Sequence, residues 1–108
     1  MLQANELKQR FSRIERTIQT ASQACRSDSS APLELKEAVR QLDLESDQAK
    51  QILQSHDETR IRQAVDSLEQ IGDRAEQAVM RAGKLDDQTK RAIHQVHTEL
   101  SDLKKQLH

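Results

Sequence analysis

Aromatic side chains are nearly missing from this chain: 108 residues hold one Phe, no Trp and no Tyr. Glycine and proline are almost as scarce, at two and one. Those shortages exclude a β-rich fold, which needs turn residues and strands of β-branched or aromatic side chains. A single cysteine, Cys25, cannot close an internal disulfide, so nothing points to an oxidising compartment. The stretch from Met1 to Arg10 lacks the apolar core of a secretory signal. No apolar run approaches the ~20 residues of a membrane span. The expectation is a cytoplasmic protein with no membrane contact. An excess of one charge is missing as well. Seventeen basic residues stand against 18 acidic ones, for a net charge of −1, which is too balanced for an acidic or basic tail.

What remains is Leu, Ala, Gln, Arg, Lys and Glu, the composition of amphipathic helices. Ala4, Leu7, Phe11, Ile14, Ile18, Ala21 and Cys25 follow one another at alternating steps of three and four, a heptad seam for helix 1. Ser27 to Ser30 break it, and Pro32 suits the first turn of helix 2, with Ser30 or Ala31 near the cap. Helix 2 carries Leu35, Val39, Leu42, Ser46, Ala49 and Leu53. Ser55-His56-Asp57-Glu58 reads as a capping box opening helix 3. A continuous helix through this point is the alternative. The slip of the seam, which resumes at Ile61 rather than Arg60, favours a tight turn. Helix 3 presents Ile61, Ala64/Val65, Leu68, Ile71/Gly72, Ala75 and Ala78/Val79, and Gly83 is its stop. Asp86 or Asp87 can cap helix 4, with seam Thr89, Ile93, Val96, Leu100, Leu103 and Leu107.

Sliding the sequence against itself by 54 residues, half its length, gives eleven identities without a gap. Composition alone predicts roughly 4. Shared seams explain part of the excess. Surface matches such as Gln23/Gln77, Lys36/Lys90, Gln41/Gln95, Glu45/Glu99 and Lys50/Lys104 are harder to explain that way. The reading is one helical domain, 1–108, with internal repeats 1–54 and 55–108. Two hairpins, each with uncovered apolar stripes, should pack into an antiparallel four-helix bundle. An extended helical-hairpin or coiled-coil dimer is the runner-up. Gly72, Ser46 and Thr89 interrupt the seams where the other repeat has Ile18, Leu100 and Leu35. Either the halves have drifted and repacked, or Gly72 and Ser46 line a groove for a partner.

Convergent chemistry is hard to find. Cys25 matches Val79 in the other repeat and reads as a small buried hydrophobe. His94 and His97 could meet on one helix face, yet they flank the seam, so solvent exposure is expected. His56 and His108 should lie at the same end of the bundle. The sequence has no Glu-x-x-His, so the di-metal bundle pattern is absent. It also lacks a glycine-rich phosphate loop, a nucleophile elbow and zinc spacing. The expectation is no enzyme, no catalytic residue, no cofactor and no metal. Charge is uneven along the chain: residues 1–26 sum to +3, 27–54 to −3, 55–81 to −2 and 82–108 to +1. Helices 1 and 4 should therefore form a mildly basic side, led by Lys8, Arg10, Arg13 and Arg16. The function expected is a protein–protein interaction or scaffold module, with a homodimer as one form of it, whose partner the sequence does not identify. The alternative is a nucleic-acid-associated regulator using the basic side of helix 1. It ranks lower because overall basic charge and an aromatic platform are both missing.

Overall fold

The computed structural model describes residues 3–108; Met1 and Leu2, the start of the N-terminal stretch read above, lie outside them. Four helices account for nearly all of the described chain: α1 (Ala4–Ser27), α2 (Leu33–Gln54), α3 (Glu58–Ala82) and α4 (Asp87–Leu107). Each packs on two neighbours, in the cyclic order α1, α2, α3, α4 and back to α1. Short turns make neighbours antiparallel, and the product is a four-helix bundle of 41 × 20 × 18 Å. The extended dimer is not the arrangement adopted.

The period in the sequence becomes the core. Phe11, Ile18, Leu35, Leu42, Leu68, Ile93, Leu100 and Leu103 are almost wholly removed from water. Burying such a side chain stabilises by about 1.5–3 kcal/mol, so these seams dominate the fold. Surface ion pairs contribute only about 0.2–1 kcal/mol each. Helix bounds also repeat. Shifting α1 and α2 by 54 residues lands within one residue of α3 and α4 at every end.

The turns depart from expectation in two details. Asp57, not Ser55, caps α3: its Oδ1 accepts from the amides of Thr59 at 3.1 Å and Arg60 at 3.3 Å. Ser55 instead ends α2, its hydroxyl donating to the Ile52 carbonyl at 2.6 Å. The cause is His56, which reverses the chain in the left-handed region at φ 59° and moves the helix start past Ser55. Pro32 likewise sits one position early, as N-cap of α2, and its carbonyl takes the amides of Leu35 and Lys36 at 3.1 Å. The α2–α3 connection is a tight turn. Gly83 ends α3 at φ 77°, a conformation that costs glycine little.

Candidate functional site

Site residues weighed from the sequence fall into four places: the bundle's turn end, the α3–α4 seam, the outer side of α1 and the far end of the bundle. At the turn end, Cys25 completes the α1 seam and is 2% exposed. Burial pushes its thiol up to about 11, the Asp28 charge adds to this and Lys36 opposes it. A thiol so protonated at neutral pH is no nucleophile.

Asp28, three positions past the α1 seam's end, is a feature that the periodicity gave no sign of. It is 2% exposed and both carboxylate oxygens are occupied. Oδ1 accepts from the Ser30 amide at 2.9 Å. Oδ2 accepts from the Asp86 amide and from Thr89 Oγ1, each at 2.9 Å. The Asp86 amide is the main reason its pKa lies below the ordinary carboxylate value. Burial opposes the shift, while Ser30, Thr89 and the Lys36 charge support it. Thr89 in a seam is thereby explained: its hydroxyl is the donor that the buried carboxylate requires. Ser46 has a separate solution, donating to the Asp43 carbonyl of its own helix at 2.8 Å.

Along the α3–α4 seam, four acids of α3 meet Lys104, His94 and His97 of α4 and His108 just past its end. His108 Nε2 lies 2.9 Å from Asp66, and Lys104 Nζ lies 3.2 Å from Glu69. His94 Nδ1 lies 2.8 Å from Glu76 Oε1. His94 is exposed as expected, but His97 is not. Its side chain is 25% exposed, with Glu76 Oε2 at 2.8 Å from Nδ1 and Glu69 and Asp73 at 3.5 and 3.6 Å from Nε2. The Glu76 Oε2 approach is too far off-line for a hydrogen bond. Gly72 makes the seat: a Cβ there would stand 3.7 Å from His97 Cδ2 and 3.3 Å from Leu100 Cδ1. The gap left where the first half has Ile18 is therefore covered by His97 and Leu100, and both Gly72 and Ser46 are buried. The carboxylates approach opposite edges of the His97 ring. Among the described residues, no group of three or more His, Cys, Asp or Glu is placed to hold a metal ion.

His56 and Leu107, the residue before His108, share a cleft at the far end of the bundle, with an apolar wall of Leu7, Leu53 and Ile61. On the outer side of α1, Lys8, Arg13 and Arg16 are exposed. Among the described residues, none of the three has a carboxylate at ion-pair distance. Arg10 is half-buried and, with Arg13, faces Glu99 and Asp102 across a cleft between α1 and α4. No described helix is long and apolar enough to cross a membrane. Compared with known protein families, with curated proteins and with solved structures, the chain matches none.

Proposed function

We propose that the chain is a non-catalytic interaction module, a rigid bundle that displays charged helix faces to a protein partner. The observation that carries this reading is charge left over around a closed core. The apolar seams are used up within one chain, whereas Lys8, Arg13 and Arg16 project from α1 without carboxylate partners among the described residues. Complementary charge of this kind sets partner choice and association rate more than it sets affinity. The partner is accordingly acidic where it meets α1, as a scaffold or adaptor contact requires.

Among the described residues, self-association has no apolar route in this reading. Leu33, Leu44 and Met80 are exposed at 71%, 56% and 78%. The first two lie three turns apart on α2 and the third lies on α3, so they form no continuous seam. The remaining route is α1 of one copy against the acidic α2 of another, a contact that salt would weaken. Nucleic acid is the second reading, favoured by the same three cations. It ranks behind because the lone aromatic, Phe11, is buried and leaves no base-stacking platform.

The test is comparative capture from the protein's own cells at low salt, with the wild-type chain and with K8E/R13E/R16E. The expected result is a protein retained by the first, lost by the second and indifferent to nuclease. Identical retention by both chains sinks the reading. Loss on nuclease treatment moves it to nucleic acid. Light scattering at low and high salt reports any α1–α2 self-contact.

A further inference from the structure

Where α1 ends and α2 begins, the two helices flank a cleft of about 320 Å³. Its floor is Cys25 and Val39, both 2% exposed. Its walls gather three cations from two helices: Arg26 in the last turn of α1, and Lys36 and Arg40 early in α2. All three are exposed, and among the described residues none has a carboxylate at ion-pair distance. Arg26 Nη2 donates to the Ser22 hydroxyl at 3.0 Å. Asp43, on the wall, accepts from Gln19 Nε2 at 2.8 Å, and Asp28 near the turn has donors on both oxygens. Lys36 and Arg40, one turn apart on the same helix, repel each other, and Arg26 adds a third like charge across the groove.

The second half of the chain shows what is missing. At the 54-residue offset, Arg40 corresponds to His94 and Ser22 to Glu76. There the fold supplies its own anion, because Glu76 lies 2.8 Å from His94. In the first half that position is a serine, too short and uncharged to meet Arg40 in the same way.

We infer that this cleft binds a phosphate monoester, the phosphorylated Ser or Thr side chain of a partner protein. Three cations lining one cleft suit a single compact anion rather than a nucleic-acid strand, which needs a track of charges and stacking surfaces. A phosphate monoester carries a charge of about −2 and three acceptor oxygens, and arginine forks match those oxygens. A carboxylate side chain offers one charge and two oxygens, and leaves one of the three cations unmatched. The Ser22 hydroxyl supplies a further donor. This inference rests on the interaction-module reading but occupies a different surface from Lys8, Arg13 and Arg16.

The test is a nuclear magnetic resonance titration of the whole chain with N-acetyl phosphoserine amide, at constant ionic strength. The serine and glutamate amides serve as controls. The expected result is saturable shifts confined to amides between Ser22 and Asp43, weaker with the glutamate control and missing with serine. Arg40→Gln and Lys36→Gln should each weaken binding about tenfold, as loss of a charge-assisted contact does. Arg16→Gln should leave it unchanged. Shifts spread equally over Lys8, Arg13 and Arg16, no saturation, or indifference to Arg40→Gln would each overturn the proposal. None of those outcomes touches the capture experiment with K8E/R13E/R16E, so failure of the cleft and failure of the module reading are read separately.

Discussion

Lys50 Nζ lies 3.1 Å from the Glu15 carboxylate, joining α2 to α1, and the pair recurs 54 residues later as Lys104 and Glu69 at 3.2 Å. All four are among the identities between the two halves. The match therefore extends beyond apolar seams to a specific contact across each hairpin. The lysines are 59% and 40% exposed, so each pair should contribute only about 0.2–1 kcal/mol. Double-mutant cycles by urea unfolding should return similar couplings for both pairs. The two should add, since they lie on different hairpins and share no partner. A coupling at one pair and none at the other would break the equivalence.

Acid should weaken the turn end of the bundle. Asp28 has a folded-state pKa below its ordinary value, chiefly through the Asp86 amide. Its contribution is complete above the unfolded carboxyl value of about 4 and is lost as pH falls through the depressed folded value. Melting temperature should therefore drop on the acid side of that value for wild type. Asp28→Asn should melt lower at neutral pH and show a shallower acid decline. Thr89→Val, which removes one donor without changing shape much, should lower the melting point by a few degrees. Parallel pH profiles for wild type and Asp28→Asn would count against this account.

Gly72 weighs helix propensity against space. Alanine would gain about 1 kcal/mol of propensity, and its Cβ would press Leu100 Cδ1 at 3.3 Å, the far end of a movable side chain. Gly72→Ala should therefore be neutral to mildly stabilising. Gly72→Ile, which copies Ile18 of the first repeat, should destabilise by about 1–3 kcal/mol through overpacking. It should also displace the His97 ring from Glu69 and Asp73, visible in its imidazole resonances. A stable Gly72→Ile with unmoved His97 resonances would contradict the seat described above.

Cys25 should resist alkylation. With the thiol raised to about 11 and the side chain buried, labelling at neutral pH should proceed only as fast as the bundle opens. Mild denaturant should accelerate it steeply. Cys25→Val, the residue at the matching position of the second half, should cost no more than about 1 kcal/mol. Labelling at the rate of a free thiol would remove Cys25 from the core.

The helices and their buried faces were legible because a period of three and four leaves its mark in any window of a few turns. Leu7, Phe11, Ile14 and Ile18 could be placed without knowing any neighbour. The turns were less legible. Ser55 and Asp57 are both good caps, and only the reversal at His56 decides between them. His97 escaped because its exposure depends on Gly72 of another helix. Asp28 escaped for a similar reason: its donors Asp86 and Thr89 are about sixty residues away, and polar loop residues carry no period. The cationic cleft was hidden by summing. Residues 27–54 total −3, and that total buries Lys36 and Arg40 among six acids.

The Asp28 link also bears on chain exchange between molecules. Two near-equal halves invite pairing with the like half of a second copy, as well as with the unlike half of the same chain. At the 54-residue offset, Asp86 corresponds to Pro32 and Thr89 to Leu35. A first half meeting another first half would bring to the Asp28 carboxylate a proline without an amide hydrogen and a leucine without a hydroxyl. The carboxylate would stay buried and lose the donors on Oδ2. Two second halves would have Ala82 there and leave the Thr89 hydroxyl without its acceptor. The contact therefore rewards only the pairing of unlike halves and works against two like halves coming together.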